Sequence, residues 1–196
     1  MKKISQDDLL GLEHWERVRN VLRPVFIHEK ERRRLAVGSH LTFLFENTAT
    51  VWYQIEEMIR SERMTDAAAI QHEIDTYNEL IPAPGEISAT LLIEFAEAKE
   101  RDAALRRLVG IEQHLFLKLG DVKAPLKFDE RQMSSERVSS VQFVRFEVGI
   151  DNEAFLKLAL ANQVAIQADH PNLGAEGKIS GDLARSLAED LTVDRA

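Results

Sequence analysis

Residues 39–46 and 87–94 alternate apolar and polar side chains in nearly the same order. Leu41, Phe43 and Phe45 in the first stretch, and Ala89, Leu91 and Ile93 in the second, hold one set of alternate positions. His40, Thr42, Leu44 and Glu46, and Ser88, Thr90, Leu92 and Glu94, hold the other. Successive side chains on a strand point to opposite faces, so both stretches predict strands with one apolar face and one face of hydroxyls, histidine and carboxylate. Such a face is either a wet surface or the floor of a site.

Helical spacing surrounds these strands. Ser5 with Asp7 and Asp8 marks a helix start, and Trp15, Val18, Val21 or Leu22, and Val25 or Phe26 continue a stripe in which Pro24 predicts a kink or restart. A helical N-terminal segment over 5–34 follows, ending in Glu29-Lys30-Glu31-Arg32-Arg33-Arg34. Asn47-Thr48 caps a helix striped by Val51, Ile55, Met58 and Ile59. Thr65-Asp66 caps another, striped by Ile70, Ile74, Tyr77 and Ile81 and stopped by Pro82-Ala83-Pro84-Gly85.

The rear of the chain mixes elements. A charged helix over 99–109 closes at Gly110, 115–119 reads as a strand, 125–128 as a short edge piece, and 129–137 as a mobile loop. Residues 138–148 predict a long strand whose alternation changes phase between Phe143 and Val144, which implies a bulge or burial on both faces. A helix over 151–160, a strand over 164–168, the loop Asp169-His170-Pro171-Asn172, a short strand and a helix capped by Ser180 follow. The fold class is α+β, a mostly antiparallel sheet packed with several helices behind a helical N-terminal region. One sheet is expected to hold 41–46, 87–95, 115–119, 141–148 and 164–168, with Phe43, Phe45, Leu91 and Ile93 in the core. Residues 1–196 read as a single domain with an α+β core over 35–191.

Composition narrows the function classes. Acidic residues outnumber basic ones 33 to 25, a formal charge of −8, which disfavours phosphate-neutralising nucleic-acid binding and anionic membrane surfaces. No nucleic-acid and no membrane partner is expected. The chain has no cysteine, which excludes disulfides, thiolate zinc sites, cysteine-ligated iron–sulfur clusters and cysteine nucleophiles. No window approaches the roughly 18 apolar residues of a spanning helix, and a soluble cytoplasmic protein is expected.

Candidate chemistry is sparse. None of the six histidines lies in the helical His-Glu-x-x-His pattern of zinc hydrolases. His72-Glu73 with Asp75, Glu79, Glu56, Glu57 and Glu62 is rich in metal-ligand types but lacks the Glu-x-x-His pairs of di-iron carboxylate bundles, and reads better as a solvated acidic face. No metal site and no cofactor is predicted. Arg32-Arg33-Arg34 is either an anion clamp or cationic support for a helix C-terminus. Glu62 between Arg60 and Arg63 is either a structural ion pair or part of an active site. His170, between Asp169 and Pro171, is either a general base or part of a turn. If the polar strand faces are buried, their carboxylates need Arg60, Arg63 or Arg145 as partners. The candidate ligand-binding set is therefore His40, Glu46, Arg60, Glu62, Arg63, Glu94, Arg145 and His170.

Several segments together resemble a known family. They are Arg32-Arg33-Arg34-x-x-Val37-Gly38, Leu44-Phe45-Glu46-Asn47, Gln54-Ile55-Glu56-Glu57-Met58-Ile59-Arg60-x-Glu62-Arg63, Tyr77-Asn78-x-Leu80-Ile81-Pro82, Glu86-Ile87-Ser88-Ala89-Thr90-Leu91, Val109-Gly110-Ile111-Glu112, Val141-Gln142-Phe143-Val144-Arg145-Phe146 and Asp169-His170-Pro171. Over nearly the whole chain this resembles a family of bacterial proteins classed as a domain of unknown function. The resemblance implies a link to peroxide or iron handling, since members are encoded near rubrerythrin-like and iron–sulfur oxidoreductase proteins. The family pattern has an aromatic after His-Pro-Asn, where this chain has Leu173. Three readings stand: an accessory protein docking on a redox or iron–sulfur partner in an oxidative-stress or iron-redox system, a small-molecule-binding enzyme with an Arg/Glu/His pocket, and a carboxylate/histidine binder of iron or haem. Homo-oligomerisation is open.

Overall fold

The computed structural model describes residues 1–132 and 134–191; Met133, within the stretch expected as a loop, lies outside them. The chain enters through α1, Leu12–Arg32, which runs unbroken through Pro24. It turns at once into β1, Arg34–Val37, and β2, Leu41–Phe45. Arg33 caps the helix, and Arg34, expected to end it, begins the sheet instead. The chain then crosses one sheet face as α2, Thr48–Glu62, and α3, Ala67–Asn78, before returning as β3, Glu86–Ile93, antiparallel to β2.

The second half continues with α4, Ala98–Arg107, then β4, Leu115–Leu119, β5, Val122–Pro125, and β6, Lys127–Phe128. It ends with β7, Val141–Glu147, α5, Asn152–Leu160, β8, Val164–His170, β9, Leu173–Lys178, and α6, Gly181–Leu191. The fold is α+β with a helical N-terminal region, and every strand pairing among the described residues is antiparallel. The strands expected in one sheet divide between two. One has the order β1-β2-β3-β7-β6, the other β5-β4-β8-β9.

Apolar alternation explains that division. Leu41, Phe43, Phe45, Ala89, Leu91 and Ile93 of the first sheet and Leu115, Leu117, Leu119, Val164 and Ile166 of the second belong to one buried cluster, closed by Phe155, Ala184 and Leu187 from helices. Two sheets that each expose an apolar face bury both by facing one another. At their edges Gly177 of β9 comes so close to β1 that an added Cβ would lie 2.7 Å from the Ala36 carbonyl oxygen. The phase change expected in β7 is absent. Gln142, Val144 and Phe146 are buried while Phe143 and Arg145 face the other side.

A second cluster unites Val51, Ile55 and Ile59 of α2 with Ile74 of α3, Ile81 and Ile4. On its opposite side α2 meets α1 through aromatic packing. Trp15 lies edge-on to Trp52 at 5.5 Å, and Phe26 stacks on Tyr53 at 4.9 Å. Glu56 is fully buried where α2 meets the N-terminal segment, and its Oε1 accepts the Leu10 amide hydrogen at 2.6 Å. Burial pushes its carboxyl above the ordinary value.

The two halves meet at Arg33, which is 1% exposed. Its Nε donates to the Phe45 carbonyl at 2.9 Å, Nη2 to the Glu46 carbonyl at 3.0 Å and Nη1 to Ser186 Oγ at 2.6 Å. Nη2 also bonds Asp190 of α6. Its neighbours in sequence do otherwise: Arg32 pairs with Glu29 at 2.5 Å, and Arg34 is exposed on β1.

Arg33→Ala is expected to cost about 3–5 kcal/mol, because it leaves Asp190 buried without its partner. Arg34→Ala is expected to stay within about 0.5 kcal/mol, as at most exposed sites; urea denaturation of both variants checks the contrast. Glu56 has its own pH signature. A folded-state pKa raised above 4.5 means that folding takes up a proton, so wild-type stability falls as pH rises from about 4.5 toward the folded value. Glu56→Gln should flatten that fall in melting curves recorded across acidic to neutral pH.

Candidate functional site

The polar face predicted from the alternation exists, and register aligns it across three strands. Thr42 pairs with Leu92, Leu44 with Thr90, and Thr90 in turn with Phe143, while Ser88 pairs with Arg145. Just beyond β2, Glu46 continues the same face and is 9% exposed. Its Oε1 accepts the Thr90 hydroxyl at 2.7 Å and its Oε2 the Thr50 hydroxyl at 2.6 Å. Thr50 belongs to the capping box of α2, in which Asn47 Oδ1 accepts the Thr50 amide and Thr50 Oγ1 accepts the Asn47 amide. The start of the helix therefore sets the rotamer of the buried carboxyl.

Above this face lies a cleft of about 840 Å³ between α3, the outward face of β3 and β7, and the segment 127–132. Glu46 is at its floor, Tyr77, Phe128 and Phe143 supply aromatic wall, and Arg145 and Arg131 stand at the rim. The rim cations are engaged: Arg145 bonds Glu86 at 3.3 Å and the Glu79 carbonyl, and Arg131 pairs with Asp129 at 2.8 Å and with Glu79. The Glu46 carboxyl, by contrast, takes only hydroxyl partners among the described residues. An arginine partner is expected for a buried carboxylate here; two threonines take that place instead.

The other predicted site residues disperse. His40 and Glu94 meet at the far end of the strands, where His40 Nδ1 donates to the Glu94 carbonyl at 3.0 Å and stacks on Phe95 at 4.0 Å. The Glu94 carboxylate accepts the Thr42 hydroxyl at 2.5 Å and is otherwise exposed. His40 lines a separate cavity of about 440 Å³. Glu62 and Arg63 are exposed at the end of α2, where Arg63 adopts φ 50° as a left-handed cap. The carboxylate held between arginines is Glu57, five residues earlier on α2. It accepts Arg19 on both oxygens, at 2.6 and 2.8 Å, and the Trp15 indole at 2.9 Å, with Arg60 Nε at 3.4 Å. Arg19 holds its carboxyl below the ordinary value.

His170 closes the β8–β9 hairpin. Its Nδ1 accepts the Asn172 amide at 3.2 Å, and its Nε2 faces the Val109 carbonyl at 3.3 Å and must carry the hydrogen. Nδ1 thus holds the turn, while Nε2 ties the hairpin to the segment that follows α4. Sequence reasoning missed its neighbour His114, which donates through Nδ1 to Asp169 at 3.0 Å, while Lys123 approaches the other oxygen at 2.6 Å. Lys123, then His114, hold the Asp169 carboxyl below its ordinary value. Strand pairing across the second sheet assembles this trio, and no local motif marks it. The His72, Glu73 and Asp75 side chains stay along α3, and among the described residues no three histidines or carboxylates converge as a metal set.

Glu57→Gln is expected to destabilise by about 1.5–3 kcal/mol, the worth of hydrogen bonds to a charged group. Glu62→Gln should be silent. Chemical denaturation of the pair distinguishes the observed carboxylate from the expected one.

No helix among the described residues is long and apolar enough to cross a membrane. No curated protein matches the chain. A crystal structure described as a novel protein of unknown function from Burkholderia pseudomallei K96243 is similar over 97% of this chain and 100% of that one, at 38% identity and a TM-score of 0.86. Residues 3–191 match the family model described as "Protein of unknown function (DUF3501)", and the chain belongs to that family.

Proposed function

We propose that this protein binds a small amine with an apolar or aromatic body, held over Glu46 in the large cleft. One observation carries the reading: Glu46 is a nearly buried carboxyl, an acceptor on both oxygens, with hydroxyl rather than cationic partners. Each oxygen retains acceptor capacity after one hydroxyl bond, so an ammonium completes the set. Charge agrees, with Glu46, Glu73, Glu79 and Asp129 lining the cleft against Lys127, Arg131 and Arg145. Tyr77, Phe128 and Phe143 suit the body of such a ligand, as apolar walls with few convergent polar groups do in ligand pockets generally.

Thermal shift with tyramine and benzylamine, against 4-hydroxyphenylacetate and phenylacetate, tests the reading. At an amine concentration about tenfold above Kd, linkage gives about 1.4 kcal/mol, or about 3–6 °C in Tm for a chain of this size. The amines should shift wild type and not Glu46→Gln, and the acids should shift neither. Equal shifts from acids, amine shifts that survive Glu46→Gln, or no shift from any amine overturn it.

A cytoplasmic accessory role beside oxidative-stress or iron-redox proteins is the second reading. Its support is the family resemblance and a composition without cysteine, with which the chain would serve such partners by docking rather than by thiol or cluster chemistry. Affinity capture from native extract with the tagged chain is expected to retain an iron or redox protein, and a capture containing none removes this reading.

A further inference from the structure

Helix α1 buries one face and leaves an apolar pair, Val21 and Val25, open on another. Trp15 and Phe26 pack against α2, whereas Val21 and Val25 are 75% and 62% exposed. With Val18, which is half-buried, and with His14 and His28 at the ends, they recur at alternating spacings of four and three along the helix. That spacing is the seam of a helix pair, and Val18, Val21 and Val25 fall together on it rather than singly across the surface.

We infer that this face pairs with the same face of a second copy, antiparallel, across a two-fold axis near Pro24. Charge selects both the occupant and the direction. Arg17 and Glu31 flank the seam on one side, both exposed, at equal distances before and after Pro24. In the antiparallel arrangement Arg17 of each copy therefore meets Glu31 of the other, and the pair forms twice. Val21 then faces Val25 of the second copy, and Val18 faces His28. A parallel pair sets every residue beside its own duplicate and leaves Arg17 and Glu31 about 21 Å apart along the axis, from 1.5 Å per residue. The contact is isologous and closes on itself, as two-fold interfaces require.

Analytical ultracentrifugation of the full chain at about 100 μM tests this, since a Kd near 1 μM keeps the dimer populated there. Wild type is expected to sediment as a dimer. Val21→Glu should raise the dissociation constant at least about tenfold, with an unchanged circular-dichroism spectrum because the site is exposed. Arg17→Glu and Glu31→Arg should each weaken the dimer, and the double variant Arg17→Glu/Glu31→Arg should restore it. Orientation has an independent readout, because the chain has no cysteine of its own. Under mild oxidant a mixture of Val21→Cys and Val25→Cys chains should form the mixed disulfide faster than either alone. A wild-type monomer, a dimer indifferent to Val21→Glu, or a dimer that the double charge exchange does not restore overturns the inference.

Discussion

The buried guanidinium of Arg33 is the constraint on which the rest of the structure depends. Taking a charge out of water costs several kcal/mol unless its donors are satisfied, and here the Phe45 and Glu46 carbonyls, Ser186 and Asp190 all receive it. Those partners come from the end of β2 and from α6, near the two ends of the chain. A guanidinium presents its donors as a rigid fork, so the fork fixes their relative positions in a way that a lysine ammonium would not. The helical N-terminus, the first sheet and the C-terminal helix are joined at one side chain.

That junction also positions the cleft. The carbonyls held by Arg33 belong to Phe45 and Glu46, and the Glu46 side chain leaves this fixed backbone toward the opposite face. Asn47 and Thr50 then begin α2 with a reciprocal cap whose hydroxyl is the Glu46 partner. Three successive tasks are therefore met within five residues: closing a strand, orienting a carboxyl and starting a helix. The long crossing from β2 to β3 carries α2 and α3 over that face and makes a cavity of what would otherwise be open sheet.

Histidines and arginines illustrate how environment decides role. His170 has the sequence neighbourhood of a general base, yet one nitrogen holds its own hairpin turn and the other meets the Val109 carbonyl beyond α4. Arg32, Arg33 and Arg34 are adjacent in sequence and have three different environments: a local ion pair, a dry interior and solvent. The change from helix to strand at that point turns successive side chains in unrelated directions.

Local pattern determined the elements. The alternation of Leu41, Phe43 and Phe45, and of Ala89, Leu91 and Ile93, specified two strands and their buried faces, and the caps at Asn47 and Asp66 specified where α2 and α3 begin. These signals are legible because each rests on neighbours within a few residues. Tertiary structure alone decided that the strands divide into two sheets, that β7 keeps its alternation with Phe143 facing a cleft, that Glu57 rather than Glu62 meets the arginines, and that threonines satisfy Glu46. Each of these depends on which distant surface packs against a residue. Thr90 lies 44 positions from Glu46 and Ser186 lies 153 from Arg33, and no local periodicity encodes contacts across such separations.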